Sequence, residues 1–163
     1  MEDTFFLSNA VPQVGLGFNR GIWRDLEALV AKPVANRGEM YVITGPVNPE
    51  NKAIQIKASA DACGTVLTID KPAAKTIGAD AVVVPSALYK IIYDPNLGRL
   101  NAYLLPNVDR RDLQDTARDL EYLKRYRVGL GTLERLTGLR FMPALDDRAR
   151  GILEEQCPAT MLH

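Results

Sequence analysis

The chain has 163 residues, 20 basic and 20 acidic side chains, 47% hydrophobic residues, two cysteines and one histidine. That is enough chain for one globular domain with its own core, and the composition is not that of a disordered segment. It excludes a membrane-spanning helix, for which no apolar run approaches the roughly 18 residues required, a zinc site built from cysteines alone, and any global electrostatic pull toward a polyanion.

Residues 1–4 open straight into Phe5-Phe6-Leu7, with no basic stretch before an apolar one, so no signal peptide is visible. Residues 4–9 predict a buried strand, which reads as a chain that begins partway through a fold. Pro12, Gly15 and Gly17 mark a loop. Residues 19–31 predict an amphipathic helix: Ile22, Trp23, Leu26, Leu29 and Val30 keep a three-to-four spacing, and Lys32-Pro33 is expected to end it. A strand follows over residues 39–44, with Gly45-Pro46 as its expected stop. Short strands are expected at 53–57 and 65–69, and one or two strands at 81–93, broken at Pro85-Ser86. Residues 94–98 predict a turn and residues 100–105 a strand ended by Pro106-Asn107. The charge-dense stretch 109–127 reads as a solvated helix, more so than as a DNA-binding face. Thr132 reads as the N-cap of a short helix over 133–137 closed by Gly138, and residues 141–145 lead into a polar tail. Strands and helices mix without βαβ regularity, which predicts an α+β fold with a mainly antiparallel sheet.

The stretch from Asn9 to Glu27 carries the most chemistry. Asn9 ends one predicted element and Asn19 begins the next. On a continuous helix Glu27 would lie about 80° round and roughly 12 Å along the axis from Asn19. A carboxamide and a carboxylate so placed suit a hard cation such as Mg²⁺, which takes oxygen ligands and keeps several waters. The plain reading stands beside it: Asn19 as a helix cap, Trp23 as core and Glu27 as a solvated surface charge. Lys90 reads as an edge lysine whose stem covers apolar surface. Cys63 and Cys157 are left either paired or free.

Residues 3–13 (Asp-Thr-Phe-Phe-Leu-Ser-Asn-Ala-Val-Pro-Gln) and 19–27 (Asn-Arg-Gly-Ile-Trp-Arg-Asp-Leu-Glu) resemble the DNA/RNA non-specific endonuclease family. Matching segments continue in order at 41–46, 77–78, 84–90, 102–107 and 133–141, so the resemblance covers about residues 2–145 of a single domain spanning 1–163. It implies the ββα-metal (His-Me finger) nuclease fold and Mg²⁺-dependent, or Mn²⁺-dependent, hydrolysis of DNA and RNA phosphodiesters. It also implies residue roles: Asn19 as the metal's protein ligand, Glu27 as the holder of metal-bound water, and Asn9 beside the scissile phosphate. Family members are often secreted or periplasmic, and a homodimer is among the oligomeric states left open; no membrane partner is implied. Two departures accompany the resemblance. The family's Asp-Arg-Gly-His motif, with its general-base histidine, is not among these residues, and His163 is the one histidine present. A family arginine one turn past the glutamate is Ala31. The sequence therefore predicts strongly reduced or no cleavage by this chain, from a late-called start or a true truncation. The alternative is a non-catalytic module that still binds nucleic acid or serves as an interaction remnant.

Overall fold

The computed structural model describes residues 10–48, 53–57, 66–70, 75–111 and 116–155. The strands predicted over 4–9, Asn9 itself, Cys63, Cys157 and His163 lie outside them.

The strongest apolar runs of the sequence form the sheet that everything else packs on. Strand β1 (Tyr41–Val47) pairs with β6 (Ala87–Asp94), β6 with β7 (Arg99–Pro106), and β7 with the short β8 (Arg127–Val128). Every one of these pairings is antiparallel. Two hairpins stand apart from this sheet: β2 (Ala53–Lys57) with β3 (Val66–Asp70), and β4 (Thr76–Ile77) with β5 (Val82–Val83). β6 and β7 are buried almost throughout, because both faces of the sheet are covered. Their tight turn is fixed by Asp94, whose buried carboxylate accepts the backbone N–H groups of Asn96 and Leu97.

Side chains alternate across a strand, so the register sorts the two faces. On one, Tyr89 meets the ring of Phe141 edge-on at 5.4 Å. On the other, Lys90 lies against Trp23. Thr44, Lys90, Tyr103 and Arg127 form one row across all four strands of this second face.

Trp23 comes from a run of wide helical turns, Gly15–Trp23, which gives way to the regular helix α1 (Arg24–Arg37). Phe18, Ile22, Trp23, Leu26 and Val30 are its buried side, with Phe18 and Trp23 stacked at 5.6 Å. The sequence reading placed one helix over 19–31; the structure corrects it at both ends. Leu16, Gly17 and Gly21 leave helical geometry, so Asn19 sits inside an irregular segment and not at a helix start. Pro33 does not stop α1, since proline's own φ is helical and it removes only one donor. The stop is Gly38, at φ +87°.

Other expectations shift for identifiable reasons. β1 runs through Gly45-Pro46 because it is the outer strand of the described sheet, where a missing N–H is tolerated. Gly45 is required there: a Cβ would fall 2.4 Å from the Tyr89 hydroxyl. Lys90 is on an inner strand, not an edge, and it is buried. Among the described residues the charged stretch forms α2 (Thr116–Arg125), whose Asp119, Tyr122 and Leu123 are buried, before the chain turns into β8. Helix α3 (Leu130–Thr137) begins at Gly129, which leaves Thr132 inside it, its hydroxyl accepting from Arg135; Gly138, at φ +70°, closes the helix as expected. The polar tail contains a further helix, α4 (Asp147–Glu155), started by Asp146, which accepts the Ala149 N–H. Its Arg150 is buried. It binds both oxygens of Glu134 at 3.0 Å, together with Glu154 and the Phe141 carbonyl. Glu134 also accepts the Phe141 N–H, so it locks α3 to α4, where the sequence had suggested only capping.

Candidate functional site

The Gly15–Trp23 segment and α1 bury one side against the sheet and turn the other to solvent. Asn19, Arg20, Arg24 and Glu27 are exposed on that outer side. The Asn19 backbone N–H donates to the Val14 carbonyl at 3.0 Å, while its carboxamide has no hydrogen-bond partner among the described residues. Its role as a helix cap is therefore not realised, and Asn19 is exposed. Arg24 is committed to Asp25 at 3.0 Å.

Glu27 is not the solvated bystander of the plain reading. Its carboxylate, 55% exposed, lies 3.7 Å from the Lys90 ammonium, whose side chain is only 6% exposed. That ammonium also donates to the Thr44 hydroxyl at 3.3 Å and sits 4.6 Å from the centre of the Trp23 ring. The aromatic face and the carboxylate offset what burial costs the cation. Burial still pushes Lys90 below the usual lysine range, with Glu27 pulling the other way. No local pattern signals this ion pair, because the partners lie 63 positions apart and meet only where α1 packs on the sheet.

Deeper in the same row, Tyr103 is fully buried and its hydroxyl has no hydrogen-bond partner among the described residues. Burial pushes that hydroxyl up to about 12, with Arg127 drawing it slightly down. Beside Asn19, the loop over residues 109–111 packs onto Gly17, and Arg111 pairs with Asp109 at 2.8 Å. Arg110 lies over the Tyr122 ring at 4.4 Å.

No group of three or more histidine, cysteine, aspartate or glutamate side chains capable of holding an ion occurs among the described residues. The outer side of the helical segment instead offers one amide oxygen and one carboxylate, both on exposed residues. That donor set fits a hard cation that keeps most of its own hydration, and it does not fit zinc or a soft metal.

The sequence profile of the DNA/RNA non-specific endonuclease family matches residues 1–148. The chain belongs to this family. Among its relatives, nuclease C1 of Cunninghamella echinulata var. echinulata is 34% identical over 163 residues, which cover 98% of this chain and 56% of that protein. Human mitochondrial endonuclease G is 31% identical over 152 residues, 91% of this chain and 44% of that one. The solved EndoG/EndoGI complex, described as revealing the mechanism of EndoG inhibition, matches with a TM-score of 0.59 at 30% identity, covering 89% of this chain and 53% of that one. The chain thus has the ββα-metal nuclease fold, and it spans about half the length of the relatives it matches.

Proposed function

We propose that this protein works in sugar-non-specific cleavage of DNA and RNA phosphodiesters with the help of Mg²⁺ or Mn²⁺. The observation that carries this reading is the family match across residues 1–148, joined to the exposure of two oxygen-bearing side chains, Asn19 and Glu27, on one segment. Asn19 would hold the cation through its amide oxygen. Glu27 would hold a metal-bound water, with Lys90 3.7 Å from its carboxylate. Asn9 would contact the scissile phosphate or its water. When bound, the cation supplies charge stabilisation at the phosphate and at the leaving oxygen. Phosphates look alike in every sequence and on both sugars, which fits a nuclease with no base preference.

A general base is the missing part of this set. The 163 residues contain no Asp-Arg-Gly-His, and general-base catalysis is worth about 10²–10⁴-fold. The chain by itself should therefore cut slowly or not at all. Purified chain incubated with plasmid and Mg²⁺, with and without EDTA, tests this. Rapid EDTA-sensitive degradation would overturn the inactivity, and degradation indifferent to EDTA would overturn the metal. The second reading, nucleic-acid binding without turnover, is favoured by the same missing histidine. It predicts DNA binding that falls steeply with salt and no cleavage product.

A further inference from the structure

Asn107, just past the end of β7, is 8% exposed. Its side chain spends its polar atoms on three separate backbone groups. Oδ1 accepts the Val14 N–H at 2.9 Å. Nδ2 donates to the Pro12 carbonyl at 3.1 Å and to the Pro85 carbonyl at 3.0 Å. Its backbone N–H donates to Ser86 at 2.9 Å. The sheet end thus grips the loop that runs into the Gly15–Trp23 segment.

The grip passes directly to Asn19. Val14 has both of its backbone polar groups engaged: its N–H by Asn107 and its carbonyl by the N–H of Asn19. A second contact reinforces the first. Gly17 sits so close to the loop following Asn107 that a Cβ there would lie 2.4 Å from the Arg110 nitrogen and 2.7 Å from that of Arg111. The stretch from Val14 to Asn19 has no regular helix to hold it, since Leu16 and Gly17 depart from helical geometry. Its conformation is imposed from outside.

We infer that Asn107 is a positioning residue for Asn19. It fixes, through Val14, the backbone from which the Asn19 amide is presented to a cation. The functional half of this inference rests on the proposed reading of Asn19 as a metal ligand; the geometric half does not. Asparagine is the side chain that fits the position because it combines one acceptor with two donors at one length. Aspartate keeps the acceptor for Val14 and loses the donors, while alanine loses all three bonds.

The test uses the full 163-residue chain as wild type, Asn107→Ala, Asn107→Asp, Asn19→Ala and Arg150→Met, the last a destabilised control away from this segment. Backbone amide exchange is read by NMR, and affinity for Mn²⁺ alone is read from the free-ion resonance signal. In Asn107→Ala, protection of the Val14 and Asn19 amides should fall about tenfold or more, with the Tyr89 and Leu104 amides of the sheet unchanged. The Mn²⁺ Kd should rise by about tenfold, and Asn107→Asp, which leaves a buried carboxylate against the Pro12 and Pro85 carbonyls, should lose both to a similar degree. Arg150→Met should lower the melting temperature and leave the Kd unchanged; were the role of Asn107 merely structural, the two variants would change the Kd alike. Unchanged Asn19 protection in Asn107→Ala overturns the inference. If that variant does not fold, loss of Asn19 protection and of Mn²⁺ affinity in Arg150→Met to the same degree as in Asn107→Asp overturns it. If Asn19→Ala abolishes Mn²⁺ binding and Asn107→Ala leaves it intact, positioning fails while the ligand reading stands. If Mn²⁺ binding is missing in wild type, or survives Asn19→Ala, the ligand reading fails, and the functional half falls with it.

Discussion

Gly17→Ala is a severe test of the contact that shapes the Asn19 segment. Two costs add. At φ +76° an alanine is in the left-handed region, which costs about 1–2 kcal/mol. Its methyl would also lie 2.4 Å from the Arg110 nitrogen, 2.5 Å from Asp109 Oδ1 and 2.7 Å from the Arg111 nitrogen. Two of these three atoms are backbone, so the clash cannot be relieved by a rotamer change, and overpacking of this kind costs about 1–3 kcal/mol. The sum is about 2–5 kcal/mol. For a domain of this size each kcal/mol moves the melting temperature by about 2–4 °C, so a drop of roughly 4–20 °C is expected. Scanning calorimetry measures it directly. Gly131→Ala is the internal control, because a Cβ there meets only the flexible end of Arg135 at 3.6 Å and the site is helical. It should leave the melting temperature unchanged or raise it, by up to about 1 kcal/mol of added stability. A Gly17→Ala protein that melts at or above wild type would show that the loop over residues 109–111 does not press on this segment.

The Lys90–Glu27 pair makes a coupled prediction. Glu27→Gln strands a buried ammonium and should lower the melting temperature at pH 7, whereas Lys90→Met should cost less or stabilise, and the double variant should recover most of the Glu27→Gln loss. Additive single effects in that cycle would mean the two side chains are not coupled. Tyr103 predicts loss of stability in alkali. Its folded-state value, about 12, exceeds the ordinary 10, so the folded state holds the proton more tightly. The contribution is complete below pH 10 and is lost as pH rises from about 10 to 12, by about 2–3 kcal/mol at the upper end. Denaturant melts of wild type and Tyr103→Phe across that range should diverge; parallel curves would refute the assignment. Arg150→Met should destabilise far more than Arg148→Met, because Arg150 is buried against Glu134 and Arg148 is exposed. Equal melting temperatures would remove Arg150 as the lock between α3 and α4.

Local patterns carried a good share of this fold. The strands β2 and β3, the break before β6, the β6–turn–β7 unit and the glycine that ends α3 were all legible, since each depends on neighbours in sequence: apolar runs, Asp and Asn in turns, glycine at positive φ. The errors came where distant parts decide. Pro46 read as a stop because its place on an outer strand was unknown. α4 was missed because its apolar content is low and its buried anchor is an arginine. The placing of Asn19 and Glu27 on one continuous helix failed because Gly21 breaks it.

By itself the sequence determined the family and the α+β class, both of which depend on the order of residue types along the chain. Only the tertiary structure decided that Glu27 faces a buried lysine, that Tyr103 lies under the same row, and that Asn107 reaches across more than 90 positions to hold the loop before Asn19. Those facts come from strand register and from burial, which set which charges and hydrogen-bonding groups are removed from water together, and no local pattern of residues encodes either.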